Sequence, residues 1–381
     1  MLKTPLHSYH IDHGAKMVDF AGWDMPLVYM HDGKGGINEE HNQTRNAGGF
    51  FDVSHMGRVS VKGRHALRFL EKVCSRKIRD MKSLQCRYSL VCNEQGGVHD
   101  DVIVYRQDED SFLVVVNASN RAKLNAHFAA VQQAHDLKLS IEDQTEKTAM
   151  VAIQGPRVMD FVSKVSKEIP TLKRYHFTVK NLLVAKLIVS RTGYTGEDGV
   201  EVILPAGMVK MAMGMLLKDI DPKSPDAAIK PCGLGARDTL RMEAGMPLYG
   251  HELGEEINAL SCGVDFAISM DKDQTEHADV FIGMDALRET LDNGGPARKL
   301  VGLKLEGKRS ARQGMNILKG DASVGIITSG CPSPTLGYPI AMGFLNTDLT
   351  GEGTVVQIDN GKERLDAVVV KLPFYKAPKK A

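Results

Sequence analysis

The stretch RYSLVCNEQGGVHDDVIVYRQDEDSFLVVVNAS, residues 87–119, decides the fold. Its three runs, RYSLVCN, VHDDVIVYR and SFLVVVNAS, are β-branched or aromatic and bounded by turn residues, which predicts a three-stranded antiparallel meander. Two adjacent acids, Asp100 and Asp101, stand at the mouth of the middle strand. Alternation sends His99, Asp101, Ile103 and Tyr105 to one face and Val98, Asp100, Val102 and Val104 to the other, so the carboxylates are expected not to converge. A metal site built from His99, Asp100 and Asp101 is then geometrically poor, and no H-x-x-x-H or Cys/His spacing elsewhere supplies one. Two readings stay open. One acid is solvated and the other caps a turn, or an acid sharing a face with Tyr105, opposite Tyr88 on the paired strand, is a partly desolvated acid/base or hydrogen-bonding group.

Helices flank the meander. Ala66, Phe69, Leu70, Val73 and Cys74 recur at helical spacing before it, and Leu124, Phe128 and Val131 after it. Strands and helices in this mixed order predict an α+β fold. VKGRHALRFLEKV (61–73) aligns without gaps on IQGPRVMDFVSKV (153–165), matching Gly63 to Gly155 and Phe69 to Phe161, a weak internal duplication of a strand, glycine, helix element. From about residue 295 short strands punctuated by glycine and proline predict a small all-β barrel or sandwich. The polar DKDQTEHAD, 271–279, is the expected linker before it.

The length of 381 residues suggests two or three domains. Lys plus Arg (48) nearly cancels Asp plus Glu (47), which leaves no basic field to attract nucleic acid or anionic lipid. Six scattered cysteines without a C-x-x-C pair fit reduced, buried thiols and a cytoplasmic setting. No apolar run approaches a membrane span, and no secretory or transit segment is read at the N-terminus.

RTGYTGEDGVEVILP, 191–205, follows the apolar LLVAKLIVS (182–190), read as one strand. It lacks the Lys-Ser/Thr ending of a phosphate loop, and its charges are negative. Glu201 projects from the strand after the turn and suits a ligand with paired N–H donors, or is an ordinary outward residue. Glu197 and Asp198, at the turn, are expected to be solvated. PCGLGARDTLRMEAGMPLYGHEL, 231–253, reads as a glycine-led helix carrying Arg237 in its first turns, where its planar fork can meet a carboxylate or serve a surface ion pair. His7, His10 and His13 are expected in surface or capping roles.

Taken together, DFAGWDMP, FDVSHMG, NEQGGVHDD, VVNASN, IQGP, GYTGEDGVE, GLGARDTLRMEAG and ITSGCPSPTLG resemble the aminomethyltransferase, or T-protein, family of the glycine cleavage system, in order over almost the whole chain. The resemblance implies a three-domain cloverleaf around a central folate channel. The units expected are 1–50 with 140–270 as a discontinuous α+β folate-binding unit, 51–139 as a second α+β unit carrying Asp101, and 280–381 as the C-terminal β domain. It also implies a reaction: the one-carbon unit of an aminomethyl group on the lipoyl arm of H-protein passes to tetrahydrofolate, giving 5,10-methylenetetrahydrofolate and ammonia. Tetrahydrofolate is then a co-substrate and lipoylated H-protein a transient partner, with no metal, flavin or nicotinamide.

Carried over position by position, the resemblance makes Asp101 the catalytic residue that holds and polarises the folate amine, as a base or by its charge alone, Glu201 the acceptor for the pterin edge and Arg237 the folate-binding arginine. Tyr88, Tyr105, Asn117, Tyr194, Met56 and Tyr175 would line the channel, and Asp100 keeps a structural role. His99 stands where the family generally has an apolar residue and could perturb Asp101; Cys232 replaces a common alanine. The competing readings are another tetrahydrofolate-dependent demethylase with an S- or O-methyl donor, and a non-catalytic folate-binding protein, whose usual K-G-C-Y-x-G-Q-E signature is absent.

Overall fold

A computed structural model of the chain describes residues 1–31, 34–182, 185–216, 220, 224 and 226–378. Two sheets of one topology form its centre. In the first, strand Gly57–Lys62 leads into helix Ala66–Val73, and the meander Gln85–Cys92, Val98–Asp108, Ser111–Val116 returns with its last strand antiparallel to the first. Strand Ser140–Asp143 adds to the far side of Gly57–Lys62. The second sheet repeats the path: Thr148–Gln154, helix Val158–Val162, then Phe177–Leu182, Ala185–Ser190 and Gly199–Pro205, the last again antiparallel to the first. Gly49–Asp52 and Lys230–Pro231 extend it.

The gapless match between residues 61–73 and 153–165 thus falls on equivalent elements. Gly63 and Gly155 both hold left-handed backbone, φ 123° and 141°, which a side chain would strain. Each passes its carbonyl to the first helical amide, Ala66 N at 2.8 Å and Val158 N at 3.1 Å. LLVAKLIVS is not one strand: Leu182 ends one and Ala185 begins the next, with residues 183–184 outside the described part.

Alternation sorts the residues between layers. Val102, Val104, Val114 and Val116 pack on Phe69, Leu70, Leu124 and Phe128 of the covering helices. The opposite face of that sheet offers Cys86, Tyr105, Leu113 and Val115, which meet Met150, Ala152, Phe177 and Ile203 of the second sheet. The two sheets therefore pack face to face. Burying such apolar side chains contributes about 1.5–3 kcal/mol each, and this layer holds the halves in register.

Residues 298–370 close into a six-stranded antiparallel barrel, in the order Arg298–Leu305, Pro339–Asn346, Ala322–Pro332, Asn316–Lys319, Val355–Asp359, Arg364–Val370. A hub of charge ties it to the centre. Glu243, fully buried, accepts hydrogen bonds from Arg45, from Ser333 Oγ and from Thr335 N and Oγ1 of the barrel unit, and lies 3.2 Å from His41.

Several local expectations are corrected. DKDQTEHAD is no free linker: Lys272 is buried, donates to the Glu71 and Cys74 carbonyls and pairs with Glu71 at 2.6 Å. An N-terminal sheet, Leu2–Lys3, Ala15–Phe20, Trp23–His31 and Lys34–Gly35, was not legible. His10 is buried between Asp52 Oδ2 and the Tyr29 hydroxyl, 2.8 Å from each, whereas His7 pairs half-buried with Asp24 and His13 stacks on Tyr9. All six cysteines are buried and free. No helix among the described residues is long and apolar enough to cross a membrane.

Candidate active site

Strand Val98–Asp108 presents Asp101 on the face turned away from the covering helices. In the ladder its direct partner is Leu90, while Tyr88 pairs with Ile103, so Tyr88 stands one diagonal step from the acid rather than opposite it. Asp100, on the other face, is buried and accepts from Asn117 N at 3.0 Å, Asn117 Nδ2 at 2.8 Å and Asn120 Nδ2 at 2.6 Å. Asn117 Nδ2 also donates to Asp101 Oδ1 at 2.7 Å. The two carboxylates, expected to diverge, meet at one amide. Burial pushes both up from the ordinary carboxylate range, and the charge of Asp101 raises Asp100 further. Neither acid is the solvated turn residue that was one of the open readings.

The second half supplies the complement. Glu201 lies across the ladder from Ala152 and Ser190, on the face that meets the first sheet, and is only 4% exposed, so it is not an outward strand residue. Burial raises its pKa, opposed by a hydrogen bond from Thr192 and by the field of Arg237. A hydroxyl chain reaches it from the other half: Tyr105 Oη lies 3.1 Å from Ser190 Oγ, Ser190 Oγ lies 2.7 Å from Thr192 Oγ1, and Thr192 Oγ1 donates to Glu201 Oε2. No described residue donates to Oε1. Ser190 and Thr192 flank the strand end at the alternation that faces Glu201, a signal present in the sequence and missed.

Helix Leu234–Glu243 carries Arg237, whose guanidinium carbon sits 5.0 Å from the centroid of the Tyr194 ring. Tyr194 donates its hydroxyl to Pro247 O and lies in the fields of both Asp101 and Arg237, bridging the two halves. Arg237 Nη1 is buried with no hydrogen-bond partner, and Tyr88 Oη, buried without a close partner, is set against the Asp101 carboxylate. Buried donors are normally satisfied, so an orphaned guanidinium nitrogen in this site calls for a ligand. His55, beside Met56, likewise has a buried Nδ1 without a partner, and burial lowers its pKa to about 3, leaving it neutral.

The remaining residues divide. Met56 packs against the layer between the sheets, and Tyr175 sits at the rim, 46% exposed. His99 turns its Nδ1 to Glu255 at 3.1 Å, and its ring lies 5.0 Å from that of His127. Glu197 is buried against Arg45 at 2.9 Å and Asp198 pairs with Arg191, so neither is the solvated turn acid expected. Cys232 is a buried packing residue near Thr44. No group of three or more metal-ligating side chains occurs among the described residues.

Two family models match this chain: the GCVT N-terminal domain over residues 6–272 and the glycine cleavage T-protein C-terminal barrel domain over residues 298–376. Similar curated proteins include the aminomethyltransferase of Rubrobacter xylanophilus, 42% identical over 98% of this chain and 94% of the relative. That of Bacillus pumilus is 38% identical over 100% of both chains. Among solved structures, the glycine cleavage system aminomethyltransferase T from Bartonella henselae superposes with a TM-score of 0.87 at 30% identity, covering 99% of this chain and 98% of that one.

Proposed function

The chain belongs to the glycine cleavage T-protein family, whose activity is aminomethyl transfer, and on that premise we propose how its own residues carry the reaction. The orphaned donor of Arg237, in the field of a Glu201 whose Oε1 takes no hydrogen bond from a described residue, carries this reading, with the Tyr88 hydroxyl set against Asp101 in the same site. Tetrahydrofolate fits that set as the co-substrate and supplies two amine nitrogens that take up the methylene carbon.

Glu201 Oε1 would accept the paired N–H groups of the pterin edge, its other oxygen being held by Thr192 and the chain to Tyr105. Arg237, oriented by the Tyr194 ring, would complete that end. Asp101, fixed by Asn117, faces the folate amines. As the C–S bond to the lipoyl arm breaks and C–N bonds form, positive charge develops on the transferred carbon and its nitrogens. The Asp101 carboxylate stabilises that charge without reorganising, and its raised pKa suits it to take the proton an attacking amine must lose. The leaving thiolate is protonated to the reduced dithiol arm, and the amino group departs as ammonia. Met56 and Asn117 would complete the walls of the central channel in a three-unit cloverleaf.

The donor would be lipoylated H-protein, docking transiently. Six buried free thiols suit a reducing cytoplasmic setting. The test is a coupled assay of purified protein, tetrahydrofolate and aminomethyl-loaded H-protein, reading methylenetetrahydrofolate and ammonia. Absence of both products while an S- or O-methyl donor is demethylated would overturn the donor assignment.

A further inference from the structure

Helix Leu234–Glu243, which carries Arg237, begins in a notch between two other elements. Its N-cap residue, Gly233, supplies no side chain to hold the first turn. That task falls to Glu40, a buried residue of helix Ile37–Asn46, 193 residues away. Glu40 Oε2 accepts from Gly233 N at 2.7 Å, and its Oε1 accepts from Tyr29 N on strand Trp23–His31 at 2.6 Å. Both carboxylate oxygens are thus used, one on each neighbouring element. The fit is close: a Cβ on Gly233 would collide with the Leu27 carbonyl, and one on Gly235 would press into Ile37. Gly233 O in turn accepts from Arg237 N at 3.1 Å, so the clamp sits one helical turn before the arginine.

Among the described residues no cation offsets this acid; the charge acting on it is that of Glu39, another acid on the same helix. Tyr29 on the strand and Cys232 just before Gly233 stay neutral, because burial raises both well above their usual range. Lys230 lies in the field of Cys232. A buried carboxylate without a counter-charge weakens the fold, and burial raises the Glu40 pKa to about 7. Groups perturbed in this way cluster where they serve a site.

We propose that Glu40 is a positioning residue for Arg237: its ionised carboxylate pins the first turn of the arginine's helix and so holds the guanidinium, whose Nη1 has no protein partner, at the ligand. The proposal rests on the folate reading above. A protonated Glu40 carries a hydroxyl in place of one acceptor, so either Gly233 N or Tyr29 N loses its partner and the helix start is released. Proton uptake by Glu40 therefore opposes binding at Arg237. Tetrahydrofolate affinity is then full above about pH 7 and declines below it.

Titration calorimetry with tetrahydrofolate tests it. At about pH 8, Glu40→Gln should raise Kd about tenfold, the worth of a charge-assisted hydrogen bond. Arg237→Ala should raise it at least as much, and the double variant should bind no more weakly than Arg237→Ala alone, because one residue acts through the other. From about pH 8 to about pH 6 the wild-type Kd should climb about fivefold more than that of Glu40→Gln or of Arg237→Ala. Stability should run the other way. Since ionising the buried acid costs the fold, wild type should lose ground to Glu40→Gln in urea unfolding as pH rises from 4.5 to about 7, whereas a residue serving only the fold would leave Kd without its pH dependence. Additive losses in the double variant, or equal pH dependence of Kd in wild type and Arg237→Ala, would overturn the positioning role, and the second comparison stands even where Glu40→Gln does not fold. Failure of the underlying folate reading looks different: Arg237→Ala would then leave Kd unchanged, or wild-type protein would not bind tetrahydrofolate at all.

Discussion

Asn117 joins two carboxylates that leave opposite faces of one strand: its Nδ2 lies 2.8 Å from Asp100 Oδ1 and 2.7 Å from Asp101 Oδ1. Asn117 follows the last residue of the neighbouring strand, Val116, so its side chain can reach around the strand end. Asp100 thereby acts as an anchor, drawing Asn117 into place with two further donors, while the Tyr88 hydroxyl is set against the Asp101 carboxylate.

Asp101→Asn should preserve the fold and most folate affinity while lowering kcat by about 2 to 4 powers of ten, the usual worth of a positioned acid/base or electrostatic group. Since the working form is the carboxylate and burial raises its pKa, activity should fall with decreasing pH through a midpoint above the ordinary 3.8. A pH–rate profile with no acid limb of this kind, or full activity in the variant, would remove Asp101 from the chemistry.

Asp100→Asn should act on stability first. It replaces a buried acceptor of three N–H bonds by an amide whose own donors face Asn117 and Asn120. A loss of about 1–3 kcal/mol in urea unfolding is expected, larger than for Asp101→Asn. Equal denaturation midpoints for the two variants would contradict the anchoring role.

Glu201→Ala should weaken tetrahydrofolate binding by about 1.5–3 kcal/mol, because a charge-assisted acceptor is lost and ligand donors stay unpaired. Titration calorimetry measures it. If the dissociation constant is unchanged, the pterin lies elsewhere.

Glu243→Gln should loosen the barrel from the two sheets, leaving Arg45 buried beside a neutral amide. Arg45 keeps Glu197 as a buried partner, so the cost is that of one charge-assisted contact set, about 1–3 kcal/mol. Against burial, which raises it, hydrogen bonds from His41 and Ser333 and then the charge of Arg45 hold the Glu243 pKa down, at about 2 against 4.5. A depressed acid contributes stability that is full above the higher value and lost as pH falls through the lower one. Thermal midpoints of the wild type should therefore drop between pH 4.5 and 2 more steeply than those of the variant, and parallel curves would show that the hub carries no such linkage.

What the sequence by itself determined is what backbone geometry makes periodic. The alternation of Val102 and Val104 against Ile103 and Tyr105 assigned both faces of the central strand, and the 3.6-residue spacing of Phe69, Leu70 and Val73 assigned the helix above it. Gly63 and Gly155 marked the duplication because both hold a backbone conformation that favours glycine. The roles expected of Asp101, Glu201 and Arg237 came from the family resemblance, not from periodicity.

Partner choice was decided only by tertiary structure. Glu197 looked like a solvated turn acid, yet Arg45, 152 residues away, buries it; Lys272 looked like part of a linker, yet it is anchored to Glu71. The convergence of Asp100 with Asp101, and the hydroxyl chain from Tyr105 to Glu201, likewise arise where strand ends and packed sheets bring distant atoms together. Spacing along a chain encodes which face a side chain takes, since that follows from local dihedral angles. It does not encode which charge or donor waits opposite, because that depends on how two sheets, far apart in sequence, settle against each other to bury their apolar faces.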